Sequence, residues 1–136
     1  MDVNRVKNIH HIGYLVKNIE DSIQVFEALG YVKETEIIND EARGIYICFL
    51  IKDGYRVELV SPINENSTVS GLIKKLGNTP YHICYEVEKI EEAIDSLKKQ
   101  KYVLLQKPKE AVAIEGKRVA FLYEKNIGMI ELVEVM

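Results

Sequence analysis

The chain has 136 residues, 47% of them hydrophobic, and 18 Lys and Arg against 21 Asp and Glu give a net charge of −3. That balance suits one compact globular domain and excludes a disordered chain. The absence of a basic run argues against a nucleic-acid partner, and no apolar run approaches the roughly 20 residues of a membrane span.

The opening residues, MDVNRVKNIHH, lack an apolar signal segment, so the sequence reads as cytoplasmic. From His11 the chain continues HIGYLVKNIEDSI, and alternation predicts a strand in which His11, Gly13 and Leu15 face one way while Ile12, Tyr14 and Val16 face the other. Ile19, Ile23 and Phe26 then recur at helical spacing, with Asn18 three residues before Asp21 as an N-terminal cap. Gly44 opens GIYICFLIKDGYRVELV, two apolar strands around a turn at Lys52-Asp53-Gly54. Residues 63–79 form a linker whose VSGLIKKL stretch predicts a short helix. Cys48 and Cys84 both lie inside strand-like apolar runs, which predicts reduced, buried thiols.

From His82 the pattern is written again, as HICYEVEKIEEAI. At an offset of 71 residues the pairs His11/His82, Ile12/Ile83, Tyr14/Tyr85, Val16/Val87, Ile19/Ile90, Glu20/Glu91 and Ile23/Ile94 are identical. Gly116 opens GKRVAFLYEKNIGMIELV as Gly44 opened its counterpart, Phe49-Leu50 matches Phe121-Leu122, and Glu58-Leu59-Val60 matches Glu131-Leu132-Val133. Each module therefore reads strand, helix, then a meander of strands, module 1 over about 8–62 and module 2 over about 80–136. Neither is large enough to bury a core alone, so a single domain with a shared core is expected.

In RVELV and MIELV the aliphatic neighbours share one face, and Glu58 and Glu131 point to the other. An acid flanked by aliphatics on an inner strand is costly to bury unless it meets a cation or faces solvent. A lone His or a lone Glu in a strand is ordinarily structural. Here both residues occupy equivalent places in both modules, and a pseudo-twofold would bring two imidazoles and two carboxylates to one locus. That set, His11, Glu58, His82 and Glu131, suits a divalent transition metal with room for water or substrate. Glu86 and Arg56 share the parity of these residues, and Arg43, Lys117 and Arg118 fall on predicted loops, where a solvated role is the expectation.

At these residues the sequence resembles the vicinal oxygen chelate superfamily, which includes glyoxalase I, methylmalonyl-CoA epimerase, ring-cleaving dioxygenases and bleomycin-resistance proteins. The stretches HHIGYLVKNIEDSI, VELVSP, TPYHICYEVEKIEEAIDSLKK and GKRVAFLYEKNIGMIELVE are similar to the epimerase branch, and the likeness runs from about His10 to Glu134. The resemblance implies an α+β fold of two fused βαβββ modules forming a curved, partly closed eight-stranded sheet. It also implies one divalent ion (Zn, Ni, Co or Mn) on His11, Glu58, His82 and Glu131, with Glu131 the first choice of general base and Glu58 the second. The implied activity is a metal-dependent epimerase that takes a proton next to the carbonyl of a thioester substrate through an enediolate. The alternatives are a lactoylglutathione lyase acting on a hemithioacetal and a metal-free small-molecule or drug-binding protein. A homodimer with each site complete inside one chain is implied as well. Two departures stand out: bacterial epimerases often carry Gln where Glu58 stands, and the strand GIYICFLI offers no second acid.

Overall fold

The repeat in the sequence reappears as a repeat of hydrogen-bonded register. The computed structural model describes residues 6–135. They form two units, one of His11–Tyr81 and one of residues 6–10 with 82–135.

The first unit holds β1 (Ile9–Leu15, from His11 on), α1 (Ile19–Ala28), β2 (Val32–Lys33), β3 (Ile38–Asp40), β4 (Ile45–Lys52), β5 (Tyr55–Pro62) and α2 (Ser70–Leu76). β1 runs parallel to β5 with Gly13 beside Glu58, and β4 is antiparallel to β5, β2 and β3. Cys48, Leu50, Val57 and Leu59 come from one face of the strands and, with Val16 just past β1, pack on Ile19 and Ile23 of α1. Tyr14, Phe26 and Tyr31 extend this core edge to face, with ring centroids 5.2 and 5.1 Å apart. The β4–β5 turn is the two-residue loop Asp53-Gly54, both at positive φ (52° and 84°), the conformation that matches strand twist and that Asp-Gly adopts readily. The connection after β5 is held at Gly44, whose carbonyl accepts the Ile63 N–H at 2.9 Å. A Cβ on Gly44 would approach the Ser67 Cα to 3.2 Å at a φ of +70°.

The Asn18 side chain accepts the Asp21 N–H at 2.9 Å, as its position before the apolar stripe predicts. Asn18→Ala is therefore expected to destabilise the protein by about 1 kcal/mol, and Asn18→Gly by only a few tenths. Urea unfolding of the two variants checks the difference, and equal losses would show that the cap contributes nothing.

The second unit holds β6 (Thr79–Val87, from His82 on), α3 (Ile90–Lys98), β7 (Val103–Glu110), a 3-10 turn at Val112–Ile114, β8 (Arg118–Glu124) and β9 (Gly128–Glu134). β6 is parallel to β9 with Cys84 beside Glu131, and β9, β8 and β7 are successively antiparallel. Val87, Ala120, Leu122, Ile130 and Leu132 pack on Ile90, Ala93 and Ile94 of α3. α3 lacks a side-chain cap of its own, since Lys89 stands in the cap position. Glu134 of β9 takes over, accepting the Ile90 N–H at 3.0 Å while its other oxygen accepts from Arg118 Nε at 3.1 Å. Arg118 also bonds Glu91 and holds that exposed carboxyl below its ordinary value.

The strand count departs from the expected eight. Among the described residues there are nine strands, because the chain between α1 and β4 makes two short ones where the second unit has the single β7. The break is local chemistry: the Thr35 hydroxyl, not a backbone carbonyl, accepts the Phe49 N–H at 3.2 Å, and the Glu34 and Thr35 N–H groups both turn to the Phe49 carbonyl. No helix among the described residues is long and apolar enough to cross a membrane.

Neither cysteine is in a disulfide, and both are fully buried. Burial pushes the Cys48 thiol above its ordinary pKa, and its Sγ lies 3.4 Å from the Thr35 carbonyl. Neither thiol is expected to react with a thiol-specific reagent in the native state, and both should react in denaturant. Stoichiometric labelling of the folded protein would contradict this.

Candidate functional site

Each unit presents the same buried trio. In the first, His11 is the third residue of β1 and Glu58 the fourth of β5, and the parallel register sets Gly13 against Glu58. His11 Nε2 lies 3.3 Å from Glu58 Oε1. In the second, the same register sets Cys84 against Glu131, and His82 Nε2 lies 3.0 Å from Glu131 Oε1. The residue directly beside each glutamate is small, Gly13 or Cys84, so no bulky side chain stands between acid and imidazole. All four side chains are buried, the most exposed being Glu58 at 6%.

The faces follow from alternation. Val57 and Leu59 lie against α1, so Glu58 must point to the opposite side of β5, and Ile130 and Leu132 do the same for Glu131 on β9. His11, Gly13 and Leu15 are the buried residues of β1 on that same side, as the sequence parity requires. Of the two ways to compensate an acid flanked by aliphatics, solvent exposure is ruled out by burial. The imidazole is the group each acid meets.

The third member of the trio is a phenylalanine that the repeat places at equivalent positions and that alternation alone does not mark as part of the site. Phe49 is the cross-strand partner of Glu58, and Phe121 that of Glu131. Each ring packs edge to face on its histidine, with centroids 5.3 Å apart for His11–Phe49 and 5.4 Å for His82–Phe121. Imidazole rotation about its outer torsion is intrinsically broad, so this contact helps to fix where Nε2 points. The signal was the equivalence of Phe49-Leu50 and Phe121-Leu122.

The remaining polar residues are engaged elsewhere. Arg56 Nε bonds Glu34 at 2.7 Å, and Asn8 Nδ2 donates to Glu86 at 3.4 Å. Arg43 pairs with the buried Asp40 at 3.0 Å, and Lys117 with Glu115 at 3.4 Å. Arg118, expected on a loop, opens β8 and is tied to Glu91 and Glu134. None of these pairings involves a residue of the two His–Glu–Phe trios.

Residues 10–121 match the sequence profile of the Glyoxalase/Bleomycin resistance protein/Dioxygenase superfamily. The ethylmalonyl-CoA/methylmalonyl-CoA epimerase of Cereibacter sphaeroides is 30% identical over 135 residues, covering 96% of this chain and 99% of that one. The crystal structure of methylmalonyl-CoA epimerase from Mycobacterium tuberculosis superposes with a TM-score of 0.85 at 21% identity, over 100% of this chain and 93% of the other. A methylmalonyl-CoA epimerase solved in complex with methylmalonyl-CoA and NH4+ gives a TM-score of 0.83 at 22% identity, over 95% and 94% of the two chains. The fold shared with these neighbours is the α+β vicinal oxygen chelate fold.

Proposed function

Because the chain belongs to the glyoxalase/bleomycin resistance protein/dioxygenase superfamily, we propose that it is a divalent-metal-dependent epimerase of a 2-carboxyacyl thioester such as methylmalonyl-CoA. The observation that carries this reading is the recurrence of one buried His–Glu pair, at one parallel register, in both modules. An epimerase relative that matches almost end to end supports it.

The donor chemistry fits a metal ion. Two ligand atoms each about 2.1 Å from one ion and at tetrahedral or octahedral angles stand roughly 3.0–3.4 Å apart. The Nε2–Oε1 separations of 3.3 and 3.0 Å fall in that range. Imidazole nitrogen with carboxylate oxygen suits Zn, Co, Ni or Mn. In this reading the two modules act as one domain, and His11, Glu58, His82 and Glu131 of a single chain are the ligand set. When bound, the ion supplies positive charge that stabilises the negative charge developing on the substrate's carbonyl oxygen.

The chain's own residues do the rest. Glu131 takes the proton from the carbon between carbonyl and carboxylate, the C–H electron pair moving onto the carbonyl oxygen. Glu58, at the equivalent place in the other module, starts protonated and delivers its proton to the opposite face as the electron pair returns from oxygen to carbon; the centre inverts, the abstracted proton stays on Glu131, and exchange with solvent resets the two acids. Phe49 and Phe121 hold the imidazoles and keep the surroundings apolar, which strengthens every electrostatic interaction nearby.

The test is incubation of metal-loaded protein with methylmalonyl-CoA in D2O, following the α-proton by NMR. Metal-dependent exchange is expected, and its absence would remove the epimerase reading. A second reading, isomerisation of a hemithioacetal as in lactoylglutathione lyase, is favoured by one feature: β4 (Ile45–Lys52) carries no acid beside the two Glu–His pairs. Thioester formation from methylglyoxal and a low-molecular-weight thiol would select it. A protein that binds no added Mn, Co, Ni or Zn would instead belong with the small-molecule-sequestering members.

A further inference from the structure

The edge strand β7 is built against its own hydrophobic pattern. Leu104 pairs with Leu122 of β8, but the next pair is Gln106 with Phe121, and the one after that is Lys109 with Val119. One residue is skipped at each shift, so Gln106 is bracketed by two bulges. Even alternation would have set Leu105 opposite Phe121. Instead Leu105 is turned out and 55% exposed, while Gln106 is half-buried. Exchanging a leucine for an amide on a buried face opposes the hydrophobic effect, and bulges that re-aim a side chain recur beside functional sites.

The face that gains the amide is the one described above. Cross-strand partners share a face, so Gln106, Phe121, Glu131 and Cys84 form one row across β7, β8, β9 and β6. At about 4.8 Å per strand, Gln106 and Glu131 are roughly 10 Å apart at the backbone, with the Phe121 ring between them. Among the described residues, none bonds the Gln106 amide. A small acyl group lying over Phe121 would meet Glu131 at one end and this amide at the other.

We propose that Gln106 is a specificity-determining residue whose side-chain N–H donates to the carboxylate of a 2-carboxyacyl thioester, a role that rests on the substrate class proposed above. The amide offers two N–H donors to a carboxylate and cannot be titrated away.

The test compares metal-loaded wild type, Gln106→Leu and Gln106→Glu by calorimetric titration with malonyl-CoA, and with propionyl-CoA, which lacks the carboxylate. Wild type is expected to prefer malonyl-CoA. Gln106→Leu should weaken malonyl-CoA binding about tenfold or more, as for loss of a hydrogen bond to a charged group, while leaving propionyl-CoA and metal content unchanged. Gln106→Glu should weaken malonyl-CoA further by repulsion. Equal malonyl-CoA affinity in wild type and Gln106→Leu overturns the assignment, as does a wild type that binds malonyl-CoA no better than propionyl-CoA. A wild type that loses its preference on Gln106→Leu yet exchanges no α-proton of methylmalonyl-CoA keeps the assignment and removes the epimerase reading instead.

Discussion

Glu131→Gln is expected to lower metal-dependent exchange of the methylmalonyl-CoA α-proton by about a hundredfold to ten-thousandfold, the range for losing a positioned general base. The substitution preserves shape in a tightly packed place: Glu131 is 4% exposed, between the Phe121 ring on β8 and Cys84 on β6. The amide oxygen still faces His82 and keeps the capacity to ligate a metal, so under the proposed ligand set metal content measured after purification should fall little. An amide cannot accept a proton at neutral pH, and only that capacity is lost. The matching variant in the first module separates the two carboxylates. With Glu58→Gln, one epimer should still exchange its proton with solvent through Glu131, while inversion slows because the opposite face lacks its acid. Full turnover in Glu131→Gln would remove it as the base, and loss of metal along with activity would assign it a ligand role alone.

Much of this arrangement is written in the sequence because it depends on the two simplest periodicities. Strand alternation places Glu58 and Glu131 away from the helix-packed aliphatics, and the 71-residue repeat predicts that what happens in one module happens in the other. The shared parallel registers, Gly13 with Glu58 and Cys84 with Glu131, are the structural form of that repeat. What the sequence hides are contacts decided by tertiary partners. The cap of α3 comes from Glu134, some 44 residues away, because Lys89 offers no acceptor of its own. The split of one expected strand into β2 and β3 turns on the Thr35 hydroxyl taking a ladder position from a backbone carbonyl. The bulges of β7 shift its register, so alternation alone would have set Leu105, not Gln106, opposite Phe121. In each case a local rule loses to a partner that lies far away in sequence.

His11→Ala and His82→Ala are each expected to abolish stoichiometric metal binding, and the clearest readout is stability. A ligand that binds only the folded state stabilises it by about 2.7 kcal/mol at a hundred times its Kd. Wild type should therefore show a rise in Tm on adding Co or Zn and a fall on adding a chelator. Both effects should vanish in the two alanine variants. The metal-free variants are also expected to be less stable than metal-free wild type. Each loses a buried ring packed on a phenylalanine, His11 on Phe49 and His82 on Phe121, and each leaves a buried carboxylate without its imidazole. That loss is present with or without metal, so comparing Tm shifts across metal concentrations separates packing from ligation. The repeat adds a sharper demand. If one ion is held by both modules, His11→Ala must abolish the metal-induced shift as completely as His82→Ala, even though the second-module pair is intact in the former. A full metal-induced shift that survives His11→Ala but not His82→Ala would place the ion on the second module alone, and the four-residue ligand set would have to be abandoned.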